Sequence, residues 1–169
     1  MLCTGNLLPP IPADDVPGTL IRPLQALVSR AIHRAAGPQL QAWGKVHGPI
    51  KLAQAVVSPG YNLPNRWIIH VAAPRYFDDA NPHQALALAT RAVLNEAKRK
   101  SIYRIAMPGL SIGVYRFPVE EAAVVTAHTL FAERMRDYPM LIRMVFLEPD
   151  ITQSYKAAFD KLVQARPEK

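Results

Sequence analysis

Short apolar segments alternate with longer segments of helical period along most of this chain, and this alternation restricts its fold more than any other feature. Strands are predicted at residues 55–58, 67–72, 104–107 and 141–147. Helical patterns are predicted over residues 24–36, 82–100, 118–137 and 151–164. Strands that alternate with helices of this length predict an α/β fold, with helices on both faces of a sheet that we expect to be mixed.

The N-terminal segment has a different character. Five of the 16 prolines fall within the first 23 residues, and such a segment cannot hold a long helix or a central strand. We therefore predict one short strand over residues 1–4 and a proline-rich loop over residues 8–23. With 169 residues and no evident linker, the chain is predicted to form a single domain over residues 1–169.

Composition excludes several classes of protein. Half of the residues are apolar and a fifth are charged, which excludes wholesale disorder. The single cysteine, Cys3, excludes an intrachain disulfide and a cysteine-rich zinc module. No apolar run approaches the ~20 residues that cross a bilayer. The short apolar stretch at the N-terminus has no basic residues before it, so a secretory signal peptide is not expected. The expected compartment is the cytoplasm, with no membrane partner.

The positive charge is concentrated in the middle of the chain. The net charge is +7, and residues 30–104 hold eleven lysines and arginines against three acidic residues. A basic region attracts phosphates and other anionic ligands, although it is also typical of an ordinary solvated surface.

The segment between the predicted strand at 104–107 and the next helix is the best local candidate for a binding site. It contains Gly109 and Gly113, and it brings several backbone N–H groups near a helix N-terminus. Such a turn can bind a phosphate, with the Ser111 hydroxyl as a further donor and Tyr115 or Phe117 against a sugar or base. On this pattern alone, an ordinary strand-to-helix loop is the alternative.

Other chemistry has little support. Residues 109–113 match the pattern Gly-x-Ser-x-Gly, but only His128 follows them, so a serine-hydrolase site is not favoured. No histidine lies at metal-ligand spacing from another ligand, so neither a metal nor a cofactor is predicted. His70 lies within an apolar strand and is interpreted as a core histidine.

Three sequence strings together resemble the macrodomain family of ADP-ribose-binding modules. They are AIHRAAGP at residues 31–38, AVVSPGYNLP at 55–64 followed by WIIHV, and PGLSIGVYRFP at 108–118. The resemblance covers residues 26–165. It implies a three-layer α/β/α sandwich around a mixed central sheet.

The resemblance also implies a binding site in two parts. The segment that it places around a diphosphate consists of Ser111, Ile112, Gly113, Val114, Tyr115 and Arg116. The residues that it places on the adenine and ribose side are Asn6, Leu7, Val28, Ser29, His33 and Leu147.

The N-terminal half departs from the family pattern. If residues 2–7 correspond to the family's opening strand, Asn6 replaces the aspartate that holds the adenine amino group. In an alternative register, Asn6 belongs to the next motif, an Asn-Ala-Ala-Asn strand, but the loop length favours the first register. The glycine run after that motif is missing, and Ser29 stands where hydrolytic members carry an aspartate. No catalytic residue is therefore assigned.

These observations favour a module that binds ADP-ribose or a related nucleotide diphosphate, or an ADP-ribosylated protein, with little or no hydrolase activity. One alternative is an enzyme that removes ADP-ribose from proteins. Another is a protein-interaction domain whose groove is closed by the proline-rich loop and Arg116. Nucleic-acid binding through the basic surface is a further alternative, but the sequence shows no interleaving of aromatic and basic residues.

Overall fold

The computed structural model describes residues 2–5, 26–133 and 138–165. The predicted loop at 8–23, together with Asn6 and Leu7, lies outside the described residues. The strands are β1 (Leu2–Gly5), β2 (Ala55–Pro59), β3 (Trp67–Val71), β4 (Arg104–Met107) and β5 (Leu141–Met144). The helices are α1 (Ala26–Ala36), α2 (Pro38–His47), α3 (Pro82–Arg99), α4 (Val119–Glu133) and α5 (Pro149–Gln164).

The five strands form one mixed sheet in the order β2-β3-β1-β4-β5. β1 is parallel to both of its neighbours, pairing Leu2 with Ile68 of β3 and with Ala106 of β4. β4 and β5 are also parallel, whereas β2 runs antiparallel to β3. The carboxyl ends of β1, β3, β4 and β5 therefore meet at one edge of the sheet, which we call the carboxyl edge. The opposite edge is called the amino edge.

Helices cover both faces of this sheet, because alternate residues of a strand point to opposite sides. Ile69 and Val71 of β3 belong to the main core, which α3 and α4 complete. Ile68, on the opposite face of β3, packs against α1 and α2. α5 packs on α4, with Tyr155 buried between them. The arrangement confirms the α/β fold and the three-layer sandwich.

One helix was not expected from the sequence. α1 ends at Ala36. Gly37 follows with a φ of 85°, in the left-handed region, and Pro38 then begins the first turn of α2. Proline suits that position because it has no N–H to leave unpaired and its φ is already helical. The Gly37-Pro38 pair therefore ends α1, as predicted, and also begins α2.

The remaining differences concern the ends of elements. β5 ends at Met144, although the Val145 N–H continues the pairing by donating to the Met107 carbonyl at 2.9 Å. α5 begins at Pro149, two residues before the predicted start. Asn81 stands at the N-cap of α3 with Pro82 at the first helical position, as expected, but its side chain makes no capping hydrogen bond.

His70 is a core histidine, as predicted. Its ring is fully buried, and its Nε2 lies 2.8 Å from the buried Ser58 hydroxyl oxygen. Trp43 of α2 stacks on it with a centroid distance of 5.3 Å. Burial, with a smaller contribution from His33, lowers the pKa of His70 to about 3, so the folded protein holds this ring neutral at ordinary pH.

Candidate functional site

Three loops lie at the carboxyl edge, where ligands of open α/β sheets bind. The β3–α3 loop (residues 72–81) follows β3, the β4–α4 loop (residues 108–118) follows β4, and residues 145–148 connect β5 to α5. Helices α3, α4 and α5 begin at the ends of these loops. Their N-termini carry a partial positive charge, which makes this edge the favourable place for an anion.

The β4–α4 loop folds into a compact turn. Ser111 and Arg116 adopt left-handed backbone conformations, with φ values of 64° and 55°. The Arg116 N–H donates to the Gly113 carbonyl at 2.7 Å, and the Phe117 N–H donates to the Ser111 carbonyl at 3.1 Å. Within the described part of the chain, the N–H groups of residues 112–114 make no backbone hydrogen bond. A row of three unused donors in a tight turn is suited to phosphate oxygens.

The structure shows the surroundings of the Ser111 side chain, whose hydroxyl the sequence proposed as a phosphate donor. Ser111 is buried, and its hydroxyl oxygen has no hydrogen-bond partner among the described residues. A hydroxyl in this position does not face solvent, so any contact from Ser111 to a ligand comes from its backbone unless the loop rearranges. Ile112 and Gly113 are half-buried, while Val114 and Arg116 are exposed.

The base of the same loop is fixed by close packing under Gly109. A Cβ atom at this glycine would lie 2.9 Å from the Tyr155 hydroxyl oxygen and 2.5 Å from Cδ1 of Ile112. Tyr155 is itself buried, and burial raises the pKa of its phenol to about 12. The glycine thus lets the loop backbone rest directly on α5.

The β3–α3 loop supports the β4–α4 loop from the side. The Tyr76 N–H donates to the Tyr115 carbonyl at 2.9 Å, and the Tyr76 ring lies edge-on to Phe117 at 4.9 Å. The Tyr76 hydroxyl donates to Oε2 of Glu121 at 3.2 Å. His83 Nε2 lies 2.6 Å from the same oxygen. These contacts connect the two loops and the first turns of α3 and α4.

Arg75 brings a cation to the same place. Its guanidinium carbon lies 5.5 Å from the Tyr115 ring centroid, within the range of a cation–π contact. Asp78 pairs with it at 3.4 Å. Neither Arg75 nor Tyr76 was identified from the sequence, although both follow the predicted strand at 67–72 directly. Their closeness to Tyr115 depends on how the two loops pair, and no local pattern reports that.

The residues predicted for the adenine and ribose side fall into three groups. Asn6 and Leu7 lie outside the described residues. Leu147 follows β5 at the carboxyl edge and is 75% exposed. Val28, Ser29 and His33 lie on α1 and are half-buried.

The direction of α1 decides where its residues stand. The Ala36 carbonyl, at the end of α1, accepts from the Asn62 N–H in the turn between β2 and β3, which lies at the amino edge. α1 therefore begins at the carboxyl edge, with Val28 and Ser29 near its start. His33 lies deeper, 6.4 Å from the His70 ring, and burial lowers its pKa.

Neither a metal centre nor a membrane-spanning helix is found among the described residues. Within residues 2–5, 26–133 and 138–165, no group of three or more histidine, cysteine, aspartate or glutamate side chains could hold a metal ion. In the same ranges, no helix combines the length and apolarity that crossing a membrane requires.

One protein-family model and several sequence relatives match this chain. The family model described as Macro domain matches residues 23–126. An uncharacterized protein of Fusobacterium nucleatum subsp. nucleatum is 44% identical over 103 residues, which are 60% of this chain and 59% of that protein. The human ADP-ribose glycohydrolase MACROD2 is 34% identical over 128 residues, which are 73% of this chain and 30% of the human protein. The chain thus matches about three-fifths of the first relative's length and less than a third of the second's.

Structural comparison agrees on the fold. The Oceanobacillus iheyensis macrodomain solved with ADP superimposes with a TM-score of 0.80. The superposition covers 98% of this chain and 85% of that one, at 24% sequence identity.

Proposed function

Because this chain belongs to the macro domain family, we propose that its carboxyl edge binds ADP-ribose or a related nucleotide diphosphate, free or attached to a protein, with little or no hydrolysis. The observation that carries the proposal is the row of N–H groups at residues 112–114, which donate to no backbone carbonyl among the described residues. A related structure was solved with ADP, a ligand that contains a diphosphate.

In this proposal, the residues of the β4–α4 loop make different contacts with the ligand. In the proposed complex, the diphosphate accepts from the N–H groups of Ile112, Gly113 and Val114, near the positive end of α4. Tyr115, held by Tyr76, covers the ligand on the side of Arg75. Arg116 is exposed and carries a positive charge beside the same turn, so it adds attraction for phosphate.

On the other side of the ligand, the proposed contacts are Leu147 and the start of α1. Leu147 offers an exposed apolar side chain for a base, at the end of the strand next to β4. Val28 and Ser29 lie near the start of α1, and Asn6 and Leu7 are proposed to complete this side. His33 would act as a support, because it lies next to His70 rather than near the loops.

The central position of β1 bears on the role of Asn6. β1 is hydrogen-bonded between β3 and β4. In the family pattern, the Asn-Ala-Ala-Asn strand is the one that precedes this helix. In the alternative register, β1 is that strand and Asn6 belongs to its motif, whereas in the other register Asn6 replaces the aspartate.

The alternative register supports a second candidate function, the removal of ADP-ribose from a protein or a derivative. Asn6 would then retain one of the polar groups that grip the distal ribose in hydrolytic members. A human relative is named as an ADP-ribose glycohydrolase, which adds to this candidate. Ser29 in place of the aspartate argues against efficient hydrolysis, because no other group in the pattern positions the attacking water.

Calorimetric titration with ADP-ribose, ADP and AMP tests the binding proposal. We expect micromolar binding of ADP-ribose and much weaker binding of AMP, which lacks the diphosphate. Gly113→Glu should abolish binding, because it adds a carboxylate where the phosphates would lie. Val46→Glu is the matched control, since it adds the same charge at a solvent-exposed position of α2. Equal loss in both variants, or no binding by the unmodified protein, would reject the proposal.

A hydrolysis assay on ADP-ribosylated protein separates the two candidates. We expect release of ADP-ribose at or near the uncatalysed rate. Substantial turnover that Asn6→Ala removes, with ADP-ribose still bound in the calorimeter, would establish the hydrolase instead.

A further inference from the structure

Cations and aromatic rings come together at the amino edge, far from the proposed ADP-ribose site. Trp67 begins β3, and its ring is approached by two cations. The guanidinium carbon of Arg66 lies 5.1 Å from the ring centroid, and Nζ of Lys100 lies 5.3 Å from it. Arg66 and Lys100 are both exposed, so their charges remain available to a partner.

A second aromatic group lies beside the first. The rings of Tyr103 and Tyr138 stack with a centroid distance of 4.9 Å and an interplanar angle of 16°. The Tyr138 hydroxyl donates to the Ile102 carbonyl at 3.1 Å, which fixes that ring, and Nζ of Lys98 lies 5.9 Å from its centroid. Tyr103 is 53% exposed, so part of its ring is open to solvent.

The fold places the Trp67 group and the Tyr103–Tyr138 pair on one surface. Lys98 and Lys100 stand at the end of α3 and reach Tyr138 and Trp67 respectively. Tyr103 precedes β4, and its carbonyl accepts from the Leu141 N–H at the start of β5. We call this surface the amino-edge cluster; it consists of Arg66, Trp67, Lys98, Lys100, Tyr103 and Tyr138.

Helix stability alone does not account for the cluster. Cations in the last turn of a helix offset its dipole, which explains Lys98 and Arg99. Arg99 is paired with Glu96 at 2.6 Å, as such surface residues often are. Arg66 lies on no helix, and support for the end of α3 by Tyr138 does not explain why Tyr103 is left 53% exposed. The combination calls for a partner with both negative charges and flat apolar groups.

We propose that the amino-edge cluster binds single-stranded nucleic acid. The cations Arg66, Lys98 and Lys100 contact phosphates, and a base stacks on the exposed part of Tyr103. An acidic peptide would use the cations but leave the tyrosine unused, whereas a single strand uses both. The binding surface lies at the opposite ends of β3 and β4 from the ADP-ribose site, so the two sites are independent.

The test is fluorescence anisotropy of the whole chain with labelled oligonucleotides of about ten nucleotides, a length within the usual range for such surfaces. Oligothymidine and oligouridine are the probes, and their comparison shows whether the sugar matters. If three phosphates are neutralised, the logarithm of the association constant should fall with the logarithm of salt at a slope of about −2. Saturating ADP-ribose should not displace either probe.

Three variants locate the binding. Tyr103→Ala should weaken binding about tenfold, while Tyr103→Phe, which keeps the ring, should stay within about twofold. Lys98→Glu/Lys100→Glu should weaken binding and reduce the size of the salt slope by about 1.4. Lys45→Glu/Lys51→Glu is the matched control, because these exposed lysines lie in the last turn of α2 and before β2. Circular dichroism confirms that each variant is folded.

Several outcomes would overturn the proposal. They are no binding of either probe at low salt, equal weakening by the two double variants, displacement of the probes by ADP-ribose, and competition by polyglutamate as effective as that by unlabelled oligonucleotide. Apart from displacement by ADP-ribose, none of these outcomes depends on whether ADP-ribose binds at the carboxyl edge, so the two proposals fail separately.

Discussion

The backbone N–H of Tyr76 donates to the carbonyl of Tyr115 at 2.9 Å, and this bond joins the two loops that define the proposed ADP-ribose site. Around it, the Tyr76 ring meets Phe117 and its hydroxyl meets Glu121. The β3–α3 loop therefore acts as a brace for the β4–α4 loop. Such support favours ligand binding, because the loop that presents three N–H groups is already ordered and binding then costs less conformational entropy.

Removing the brace should weaken ligand binding without removing a ligand contact. We expect Tyr76→Ala to lower the affinity for ADP-ribose about tenfold, because the ring that packs on Phe117 is lost and the loop must be ordered by the ligand. Tyr76→Phe keeps the ring and the backbone bond, so its loss should be no more than about threefold, the value of one partly buried hydrogen bond. Calorimetric titration measures both; equal affinities for the two variants would contradict a bracing role.

Arg116 allows charge and backbone strain to be separated. Its φ of 55° is unfavourable for any residue with a Cβ atom, so Arg116→Gly should be more stable than Arg116→Ala by about 0.5–1 kcal/mol. Both variants remove the guanidinium and should lose ADP-ribose affinity to the same extent, a few-fold. Urea unfolding gives the first comparison and calorimetry gives the second. A gain of affinity in both variants would instead show that Arg116 obstructs the groove.

A substitution at Gly109 tests how tightly the β4–α4 loop packs on α5. In Gly109→Ala, the new methyl group would meet the Tyr155 hydroxyl and Ile112, and we expect a loss of about 1–3 kcal/mol in the free energy of unfolding. Tyr155→Phe removes the hydroxyl and makes room. The double variant should therefore be more stable than the two separate losses predict, by about 1 kcal/mol in urea unfolding. Strict additivity would mean that the strain is relieved elsewhere.

The sequence was sufficient for the parts of the molecule that depend on local pattern. Apolar runs predicted β2, β3 and β4, and the Asn81-Pro82 pair marked the start of α3. Gly109 and Gly113 indicated a turn at the β4–α4 loop from their residue type alone. These predictions succeed because the period of a strand or helix and the backbone preferences of glycine and proline act over a few residues.

Other parts depend on pairing between distant segments and could not be predicted in this way. The prediction for Ser111 named a hydroxyl donor, but whether that hydroxyl faces a ligand is decided by the left-handed turn and the core beneath it. The brace at Tyr76 depends on contacts across about 40 residues. The amino-edge cluster combines Trp67, Tyr103 and Tyr138, which are far apart in the sequence, so no interleaving of rings and charges was visible there.

The buried ring of His70 should make the stability of the protein depend on acidity. The pKa of His70 is about 3 in the folded protein, against 6.5 for an unperturbed histidine. Between these values the unfolded chain binds a proton that the folded protein does not, so the stabilisation is complete above pH 6.5 and is lost as the pH falls toward 3. Urea unfolding at several pH values should show a decline in the free energy of unfolding that approaches about 1 kcal/mol per pH unit from this group.

A variant without the titrating ring isolates the contribution of His70 to this decline. His70→Gln places an amide near the position of Nε2, so it keeps a polar side chain that can bond Ser58 but does not titrate. The variant should be less stable than the unmodified protein near neutral pH, and the difference should shrink as the pH falls through the window. His33→Gln provides the comparison, because His33 is only half-buried and its pKa is lowered in the same direction. If the curves of the unmodified protein and His70→Gln run parallel from pH 6.5 downward, His70 does not stay neutral in the folded protein.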